Sequence, residues 1–580
     1  MMFRRLKRQL AQCRRYSGKS DNTLYVTTPI FYVNARPHLG HLYTMLLGDT
    51  RSRWENLKPE KETYFLTGTD EHGLKVQNAA EASDMKPKEF TDMVSTNFKN
   101  LAEIMNIKYD RFIRTTDQDH VETVKQFWKL MEEKGYLYKG THNGWYSISD
   151  ETFYPESQIE EIEDKQTGKK KKISSETKNE VTFQEEENYF FKLSLFQDRL
   201  ISYLEKNPSF IHPKSKFDAI LKELKETDLG DLSVSRPSSR LSWGIDAPGD
   251  SEQKIYVWFD ALLNYVTPCG LQNVLPSSPS KTDTIWPATH VIGKDIARFH
   301  CIYWPIFLMA AGIELPERII IHSHWLCDGF KMSKSLGNVV DPIATLEYYG
   351  QDSLRFFLAE HSNIETDCNY SEEAFYLTRE RLISKYANLV TRCAAKSFNI
   401  RESVEDYAQS SFEDIDNIIS THIVNPSDAS AIISMKNELL ADLAHTYDDM
   451  DSRMSSLDSM RAIRSWWVCV EKANQLFQVA QPWLYNKAIK QESSEEKRKF
   501  LQTIRNYYIF ISSETCRIAS ILISPVIPNL SSQILDRLAV AKDRRSFALL
   551  PLGADTSYGE GSNNSGYKLP IERVPKRSST

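Results

Sequence analysis

A strand-like apolar run, a turn with two histidines and a long helix-like run follow one another near the start of the chain. The apolar run is Leu24–Phe31, the turn is His38-Leu39-Gly40-His41, and residues 39–57 have helical spacing. A strand that passes directly into a helix is the building unit of a parallel α/β sheet, and ligands bind at the carboxyl ends of such strands. This order predicts an α/β fold with a ligand site at the turn.

Two short motifs carry groups that suit a polyphosphate. His38 and His41 are three residues apart at a helix N-terminus, so they share a face where the helix dipole favours anions. The second motif, Lys-Met-Ser-Lys-Ser at 331–335, puts two lysines and two hydroxyls on a loop after the strand-like run Arg318–Trp325. Histidines on one side and a mobile lysine on the other can hold a triphosphate while charge develops on it. Together the motifs predict an ATP site.

The alternation of segments predicts a Rossmann-like, doubly wound parallel sheet as the catalytic domain. Strands are expected at 24–26 and 63–66, and helices at 39–57, 74–82 and 87–105. An inserted connective subdomain interrupts this pattern with a helix at 119–134 and a hairpin-like piece at 136–154. The polar run 160–187, which contains the four lysines 169–172, is typical of a solvated surface loop. Alternation resumes at Ile255–Val257.

From Tyr370 onward the chain is nearly all helix-like, which predicts an all-α bundle. Apolar residues recur at helical spacing in 375–395, 429–443, 460–478 and 500–520, and the segment after Leu552 is expected to be extended or loosely ordered. The predicted domains are 1–20 (transit peptide), 21–117 (catalytic, first half), 118–250 (insert), 251–340 (catalytic, second half), 341–369 (junction, stem-contact region), 370–552 (bundle) and 553–580 (tail).

The first twenty residues differ in composition from the rest. They hold seven Lys and Arg residues and no acid, and the first acid is Asp21. This composition is typical of a mitochondrial transit peptide, with cleavage expected near Tyr16; a basic tail that binds RNA is the alternative. Without those seven, the 78 acids of the chain exceed its Lys and Arg. Net charge therefore gives no sign of nucleic-acid binding, and any RNA surface must be a local patch.

The cysteines and the apolar runs limit where the chain can work. Eight cysteines are scattered without close spacing, which favours free thiols in a reducing compartment. The most apolar run, 302–315, is interrupted by Pro305 and Glu314 and is shorter than a bilayer-spanning segment. No membrane anchor is expected.

The two motifs resemble the signatures of class I aminoacyl-tRNA synthetases, and four further segments resemble the methionyl-tRNA synthetase family, of the mitochondrial type. These are Thr28–Tyr32, Thr67–Gly73 (TGTDEHG), Tyr256–Leu262 (YVWFDAL) and Gly293–His300 (GKDIARFH). The resemblance runs from about Thr23 to Trp483. It implies a methionine–tRNA ligase that forms methionyl-adenylate and pyrophosphate from L-methionine and ATP, then transfers methionine to the 3′ end of tRNA(Met) for mitochondrial translation.

The resemblance also implies the residues that bind methionine. A carboxylate such as Asp70 can hold the ammonium group, and an aromatic and aliphatic pocket suits an unbranched thioether. A neutral His300 could help to recognise the sulfur. The implied methionine site comprises Pro29, Ile30, Tyr32, Asp70, Trp258, Leu262, Tyr265, Ile296, Phe299 and His300.

For ATP, the resemblance implies ribose contacts at Gly293 and Asp295, with Mg²⁺ accompanying the nucleotide. The methionine carboxylate would attack the α-phosphorus in line while His38, His41, Lys331 and Lys334 act as the catalytic groups that stabilise the charge. The implied ATP site comprises His38, His41, Gly293, Asp295, Lys331, Met332, Ser333, Lys334 and Ser335.

One departure from the family concerns zinc. Many members carry cysteine knuckles in the inserted domain, but residues 144–151 here read Gly-Trp-Tyr-Ser-Ile-Ser-Asp-Glu, and no cysteine lies between Cys13 and Cys269. Thiolate ligation in the insert is therefore excluded. We expect no bound metal and a zinc-free knuckle that keeps only its shape.

In the helical domain, the resemblance places the tRNA anticodon at Asn388, Arg392 and Trp483. Asn388 and Arg392 are four residues apart and share a helical face, while Trp483 follows Pro482 near a helix start. An aromatic plane stacks on an unpaired base, and Asn and Arg can read base edges. The expected partners are initiator and elongator tRNA(Met), methionine and ATP, for a monomer in the mitochondrial matrix.

Two other functions fit the sequence less well. The valine, isoleucine and leucine enzymes of the same class carry a large editing domain, which is hard to fit between His41 and Lys331. A catalytically inactive paralogue that keeps the bundle as an RNA-binding module would have no reason to retain His38, His41, Asp70 and Lys334 together.

Overall fold

The computed structural model describes residues 23–147, 152–154, 156–163, 170–175, 178–276, 284–327, 329–331, 340–424, 428–562 and 570–577. The chain divides into two compact units, one of residues 1–48 and 62–322 and one of residues 49–61 and 323–580. Each unit has its own apolar core.

The secondary structure of the described residues alternates in the first part and is mostly helical in the second. The strands are β1 Thr23–Tyr32, β2 Glu62–Asp70, β3 Arg111–Arg114, β4 Leu137–Ser147, β5 Thr152–Tyr154, β6 Ile159–Glu163, β7 Lys170–Ser174, β8 Thr182–Phe191, β9 Ile211–His212, β10 Leu232–Ser233, β11 Ser235–Pro237, β12 Asp246–Ala247, β13 Asp250–Ile255, β14 Ala288–Gly293, β15 Arg318–His322, β16 Trp325–Cys327, β17 Phe330–Lys331 and β18 Cys368–Tyr370. The helices are α1 Leu39–Asn56, α2 Leu74–Ala82, α3 Pro87–Ile104, α4 Gln118–Glu133, α5 Gln197–Lys206, α6 Lys214–Glu226, α7 Val257–Leu262, α8 Leu271–Val274, α9 Trp304–Ala311, α10 Pro342–Tyr349, α11 Gln351–Glu360, α12 Glu372–Arg381, α13 Asn388–Cys393, α14 Ile400–Ala408, α15 Ile415–His422, α16 Ala429–Met454, α17 Ser459–Ala480, α18 Pro482–Gln491, α19 Glu495–Ile523 and α20 Pro528–Arg537.

The first unit is built on a six-stranded sheet in the order β3-β2-β1-β14-β15-β9. All of its neighbouring strands are parallel. From β1 the chain adds strands outward on one side through β2 and β3, and on the other side through β14 and β15. The strand order therefore reverses between β1 and β14, where ligands bind in such sheets. The predicted doubly wound sheet is confirmed.

Among the described residues, three smaller antiparallel arrangements lie in the predicted insert or extend just past its end, in the orders β10-β8-β4-β5, β11-β13-β12 and β6-β7. Strand and helix alternate again from Ile255, which ends β13 and is followed by α7 and β14, as predicted. Ile255 itself pairs antiparallel with β11, so the parallel sheet resumes only at β14. In addition, β9 pairs with β15, so the range 118–250 also supplies the edge strand of the main sheet. Short segments such as β9 carry too little sequence pattern to reveal their pairing.

The prediction of a solvated loop at 160–187 is wrong for the residues of that run that the structure describes. The acidic strand β6 pairs with the lysine-rich strand β7, and β8 pairs with β4 along most of its length. Lys170 Nζ lies 2.8 Å from Glu161 Oε1. Opposite charges across the two strands stabilise a hairpin that its polarity alone would not suggest.

The second unit is mainly helical, as predicted, and its longest helix is α19. Almost every residue of α19 from Asn506 to Ile523 is buried, because α14, α15, α17, α18 and α20 pack around it. Arg355 is buried and donates from Nη2 to Asp49 Oδ2 at 2.6 Å and from Nε to the Val526 carbonyl at 2.7 Å. A small sheet in the order β17-β16-β18 completes the unit.

The sequence predicts that the segment after Leu552 is extended or loosely ordered. It has no strand or α-helix within 553–562 and 570–577, but it makes specific contacts there, so only the loosely ordered alternative is wrong. Tyr558 is fully buried and donates to Glu514 Oε2 at 2.9 Å, and the backbone N–H of Gly553 donates to Glu514 Oε1 at 2.8 Å. Farther on, the backbone N–H of Arg577 donates to the Tyr349 hydroxyl at 2.9 Å. The low hydrophobicity of the segment gave no sign of these contacts, which depend on one buried tyrosine and on two backbone N–H donors.

Candidate active site

The two histidines of the first motif lie at the point where the strand order reverses. His38 is on the turn before α1 and His41 is in the first turn of α1, and residues 38–41 are called the histidine turn. The two histidine rings stack with centroids 3.8 Å apart. The backbone N–H of Gly40 donates to His38 Nδ1 at 3.0 Å, and the backbone N–H of His38 donates to His41 Nδ1 at 3.1 Å. An Nδ1 that accepts a hydrogen bond leaves the proton of a neutral imidazole on Nε2. Both histidines are therefore Nε2–H donors, suited to anionic oxygens.

The surroundings keep His41 neutral and the turn tight. Burial lowers the pKa of His41 well below its usual value, His38 lowers it further, and the Asp295 carboxylate opposes the shift. A Cβ on Gly40 would lie 2.9 Å from His38 Cε1, so glycine allows the ring to fold over the turn. Thr44 Oγ1 donates to the Gly40 carbonyl at 3.2 Å and lies 2.9 Å from His322 Nε2, which ties the turn to β15.

Asp70 ends β2 beside Tyr32, its register partner on β1. Its side chain is buried and close enough to Tyr265 to raise the pKa of that hydroxyl, which burial already raises far above its usual value. The next residue, Glu71, is fully buried and accepts from Arg114 Nε at 2.6 Å and Nη2 at 2.8 Å. A rigid loop therefore places a carboxylate at the end of the central strands, as an ammonium-binding role requires.

Tyr265 and His300 form a buried hydrogen-bonded pair. His300 Nδ1 faces the Ile296 carbonyl at 3.0 Å, and because a carbonyl only accepts, Nδ1 carries the proton. The Tyr265 hydroxyl then donates to His300 Nε2 at 2.6 Å. Burial lowers the pKa of His300 to about 4, against the opposing effects of the Ile296 carbonyl and Asp295. The pair is neutral, as the sequence-based hypothesis for sulfur recognition required.

The remaining methionine-site predictions lie on the same unit. Trp258 and Phe299 stack with ring centroids 3.6 Å apart and planes inclined by 11°. Pro29 and Leu262 are buried, whereas Ile30 and Ile296 are partly buried against the apolar core. Ring stacking joins Trp258 with Phe299, strand pairing joins Tyr32 with Asp70, and a hydrogen bond joins Tyr265 with His300. The roles assigned to these residues stay predictions.

Gly293 ends β14 and Asp295 follows two residues later, across the sheet crevice from the histidine turn. A Cβ on Gly293 would lie 2.8 Å from Asp295 Oδ1, so glycine is required for the carboxylate to turn back over the backbone. Asp295 is exposed, and its charge affects the pKa of both His41 and His300. An exposed carboxylate at a strand end can accept from ribose hydroxyls.

The second motif lies only partly within the described residues. Lys331 ends β17, which pairs with β16 in the second unit, and nothing is described of its side chain. Met332, Ser333, Lys334 and Ser335 lie outside the described residues, so their predicted roles stay predictions. The residues 148–151 of the knuckle also lie outside them. Within the described ranges, no three His, Cys, Asp or Glu side chains are grouped to share a metal ion.

The predicted anticodon residues lie in the second unit, and Phe477 on α17 joins two of them. The Arg392 guanidinium lies 4.5 Å from the Phe477 ring centroid, and Trp483 lies 6.1 Å from it. Arg392 Nη2 also donates to Gln478 at 2.8 Å. Trp483 is 38% exposed at the first turn of α18, and Asn388 begins α13, one turn before Arg392. An exposed indole and a guanidinium that both lie against Phe477 suit an unstacked base.

One buried cluster was missed from the sequence. Asp260 on α7 lies between His72, which follows Asp70 on the loop after β2, and His120 at the start of α4. His72 occurs in the quoted motif TGTDEHG and Asp260 in YVWFDAL, but the motif spacing does not show that they meet.

Among the described helices, none is long and apolar enough to cross a membrane.

A parallel sheet with two Nε2–H histidines at its reversal point, facing a glycine–carboxylate turn, has the site of a class I aminoacyl-tRNA synthetase. The family profile described as "tRNA synthetases class I (M)" matches residues 24–394. A mitochondrial methionine–tRNA ligase of Candida albicans is 55% identical over 564 residues, which cover 96% of this chain and 97% of that protein. The human mitochondrial methionine–tRNA ligase is 39% identical over 534 residues, covering 91% and 86%.

A solved structure gives the same result. The Mycobacterium tuberculosis methionyl-tRNA synthetase in complex with methionyl-adenylate is similar with a TM-score of 0.78 at 36% identity, covering 93% of this chain and 97% of that chain. This chain belongs to the methionyl-tRNA synthetase family.

Proposed function

We propose that the residues around the β1–β14 crevice carry out both steps of methionine ligation to tRNA in this chain. In the first step the methionine carboxylate oxygen attacks the α-phosphorus of ATP, and the bond to pyrophosphate breaks. In the second, a ribose hydroxyl of the tRNA 3′ adenosine attacks the methionyl carbonyl, and AMP leaves. The observation that carries this assignment is the neutral Tyr265–His300 pair next to Asp70, at the reversal point that also holds His38 and His41.

Methionine recognition follows from charge and polarity. Asp70 accepts hydrogen bonds from the ammonium group, which fixes the α-carbon at the strand ends. The thioether lies among aromatic rings and the neutral Tyr265–His300 pair, because sulfur contacts aromatic edges favourably and no charge there has to be desolvated. A site of this kind rejects charged and branched side chains and binds a long, flexible apolar one.

Activation uses donors on the histidine turn. His38 and His41 direct Nε2–H groups at the phosphate oxygens where negative charge develops, while their Nδ1 atoms stay engaged with the backbone. Gly293 and Asp295 hold the ribose. Lys331 and Lys334 bind the β- and γ-phosphates, together with the hydroxyl groups of the loop that carries them. Mg²⁺ would enter with the triphosphate, ligated by phosphate oxygens and water, since Mg²⁺ keeps several waters and binds few carboxylates.

In the second unit, Asn388, Arg392 and Trp483 read the anticodon of initiator and elongator tRNA(Met). The protein is mitochondrial, as its relatives are named. We place it in the mitochondrial matrix, where residues 1–20 direct it, and as a monomer, which sedimentation of the purified protein tests.

The first test is ATP–pyrophosphate exchange with each of the twenty amino acids on protein lacking residues 1–16, without tRNA. We expect exchange with methionine alone, and its loss in Lys334→Ala, while Lys178→Ala, a lysine paired with Glu160 on the insert, retains it. Folded protein that exchanges no amino acid, or that exchanges another one better than methionine, would overturn the proposal.

A further inference from the structure

A buried carboxylate, Asp260, joins three elements of the first unit. It is fully buried on α7, and His72 Nδ1 lies 2.6 Å from its Oδ2 while His120 Nε2 lies 2.7 Å from its Oδ1. His72 is on the loop after β2, two residues beyond Asp70, and His120 is in the first turn of α4. Neither oxygen of Asp260 can therefore reach a substrate, and any effect on the reaction must act through its partners.

The hydrogen bonds fix where the protons are. Thr267 Oγ1 donates its single proton to the Leu263 carbonyl at 2.9 Å, so it can only accept from His120 Nδ1, which lies 3.1 Å away. The other ring nitrogen of His120 faces the Asp260 carboxylate. In this arrangement both ring nitrogens act as donors, from which we infer an imidazolium at His120. Burial would raise the pKa of Asp260, but His72 and then His120, which both contact its oxygens, lower it, consistent with a carboxylate that accepts from both rings.

The His72 side of the cluster reaches the loop that carries Asp70. The His72 ring packs edge-on against Trp243 with centroids 5.6 Å apart. Trp243 Nε1 donates to the Glu71 carbonyl at 2.5 Å, and its own carbonyl accepts from the Gly73 N–H at 3.3 Å. These two hydrogen bonds fix the residues on either side of His72. A shift of Asp260 would therefore move the loop Asp70–Gly73 as one body.

Asp260 itself lies on the helix that carries other residues of the proposed methionine site. Asp260 lies on α7 between Trp258 and Leu262, and Trp258 stacks on Phe299. One carboxylate thus joins the loop that bears the proposed ammonium ligand to the helix that bears the proposed thioether contacts. A buried ion pair often stabilises a core less than apolar side chains of the same volume would, but it fixes the geometry of the groups that it joins.

We propose that Asp260, held by the His120 imidazolium, is a positioning residue that sets the separation between Asp70 and the Trp258 helix, and so the fit of methionine. This inference rests on the proposed methionine roles of Asp70 and Trp258. Glycine or alanine cannot replace such a link, because two donors on different elements must converge on one acceptor group. Asparagine has one acceptor oxygen only, and its NH₂ group would face a histidine N–H.

The primary test is Asp260→Asn, measured by ATP–pyrophosphate exchange at varied methionine and varied ATP. We expect the KM for methionine to rise between about 10- and 100-fold, as misplacement of a binding group does, with the KM for ATP within about twofold of wild type. The matched control is Glu514→Gln, which neutralises another fully buried carboxylate, paired with Arg517 in the bundle. It should lower the melting temperature without changing either KM.

If Asp260→Asn does not fold, two less disruptive variants at Thr267 test the same link. Thr267→Val removes the acceptor for His120 Nδ1 and should raise the KM for methionine, whereas Thr267→Ser keeps the hydroxyl and should match wild type. Equal changes in the KM for methionine and for ATP, or no change in folded Asp260→Asn or Thr267→Val, would overturn the positioning role.

Histidine ¹⁵N NMR on the full chain separates this inference from the proposed function. One doubly protonated, exchange-protected imidazole should appear in wild type, disappear in His120→Gln and persist in His212→Gln, whose ring lies on the edge strand β9. Absence of that signal from wild type overturns the cluster. A wild-type signal without methionine-dependent exchange would instead overturn the proposed function, and with it the role of the cluster in methionine fit.

Discussion

Tyr265 donates a hydrogen bond from its hydroxyl to Nε2 of His300 at 2.6 Å, and both side chains are buried. Tyr265→Phe would leave Nε2 without this donor and remove a polar group from the proposed thioether pocket. The loss of one such hydrogen bond costs about 0.5–1.5 kcal/mol. We expect the KM for methionine to rise about two- to tenfold with little change in kcat, and selectivity over norleucine to fall, both measured by ATP–pyrophosphate exchange.

Tyr25→Phe is the matched control for that prediction. Tyr25 donates to the Tyr265 carbonyl at 2.9 Å, so it supports the same residue from the backbone side without facing the ring nitrogen. Its loss should affect stability more than selectivity. An unchanged preference for methionine over norleucine in Tyr265→Phe would contradict the role of the pair.

The buried, neutral histidines predict that stability falls in mild acid. Burial holds the pKa of His300 at about 4, below its usual 6.5. Between these two pH values His300 is therefore protonated in the unfolded chain but neutral in the folded protein. Stability is therefore complete above about pH 6.5 and decreases as pH falls toward 4, by about 3 kcal/mol from this group. Urea unfolding at several pH values measures the slope. His300→Asn, which removes the titrating group, should flatten it, and an unchanged slope would refute the assignment.

The backbone hydrogen bonds of the histidine turn predict a difference between two conservative variants. Because His38 Nδ1 already accepts from Gly40, the catalytic proton is on Nε2, which a glutamine amide can approximate and an asparagine amide cannot. Loss of one charge-stabilising donor costs about 10²–10³ in kcat. His38→Asn should show that full loss in single-turnover adenylate formation, while His38→Gln retains more activity. Equal activity of the two variants would contradict the tautomer.

The contact of Arg392 and Trp483 with Phe477 predicts effects confined to the tRNA step. Arg392→Ala removes a guanidinium that packs on Phe477 and should weaken tRNA(Met) aminoacylation by about one to two orders of magnitude, as loss of a base-reading contact does. ATP–pyrophosphate exchange should be unchanged. Arg401→Ala, an arginine paired with Glu405 on α14, serves as the control. A parallel loss of both activities would indicate a folding defect instead.

The packing of the C-terminal segment predicts that the bundle depends on Glu514. Glu514 and Arg517 are both fully buried, and Glu514 also accepts from Tyr558 and from the Gly553 backbone. Breaking a buried pair by removing one partner costs about 3–5 kcal/mol, so Glu514→Ala should destabilise the protein by that amount in urea unfolding. Tyr558→Phe, which removes one hydrogen bond, should cost about 1 kcal/mol. A smaller loss in Glu514→Ala than in Tyr558→Phe would contradict this account.

The sequence by itself determined the features that depend on near neighbours. The strand–turn–helix that carries His38 and His41 and the bundle after Tyr370 were predicted from periodicity and motif order, and the family from the resemblance of the motifs. These signals are local, since the spacing of apolar residues and the chemistry of a turn act within a few residues.

Only the tertiary structure decided which distant groups meet. Asp260 and His72 are 188 positions apart, and no spacing rule predicts their contact. The same holds for the β9–β15 pairing, for the burial of Tyr558 against Glu514, and for the protonation of His300 and His120. Protonation and pairing depend on burial and on the exact set of donors and acceptors around a group, and these exist only when separate elements have packed together.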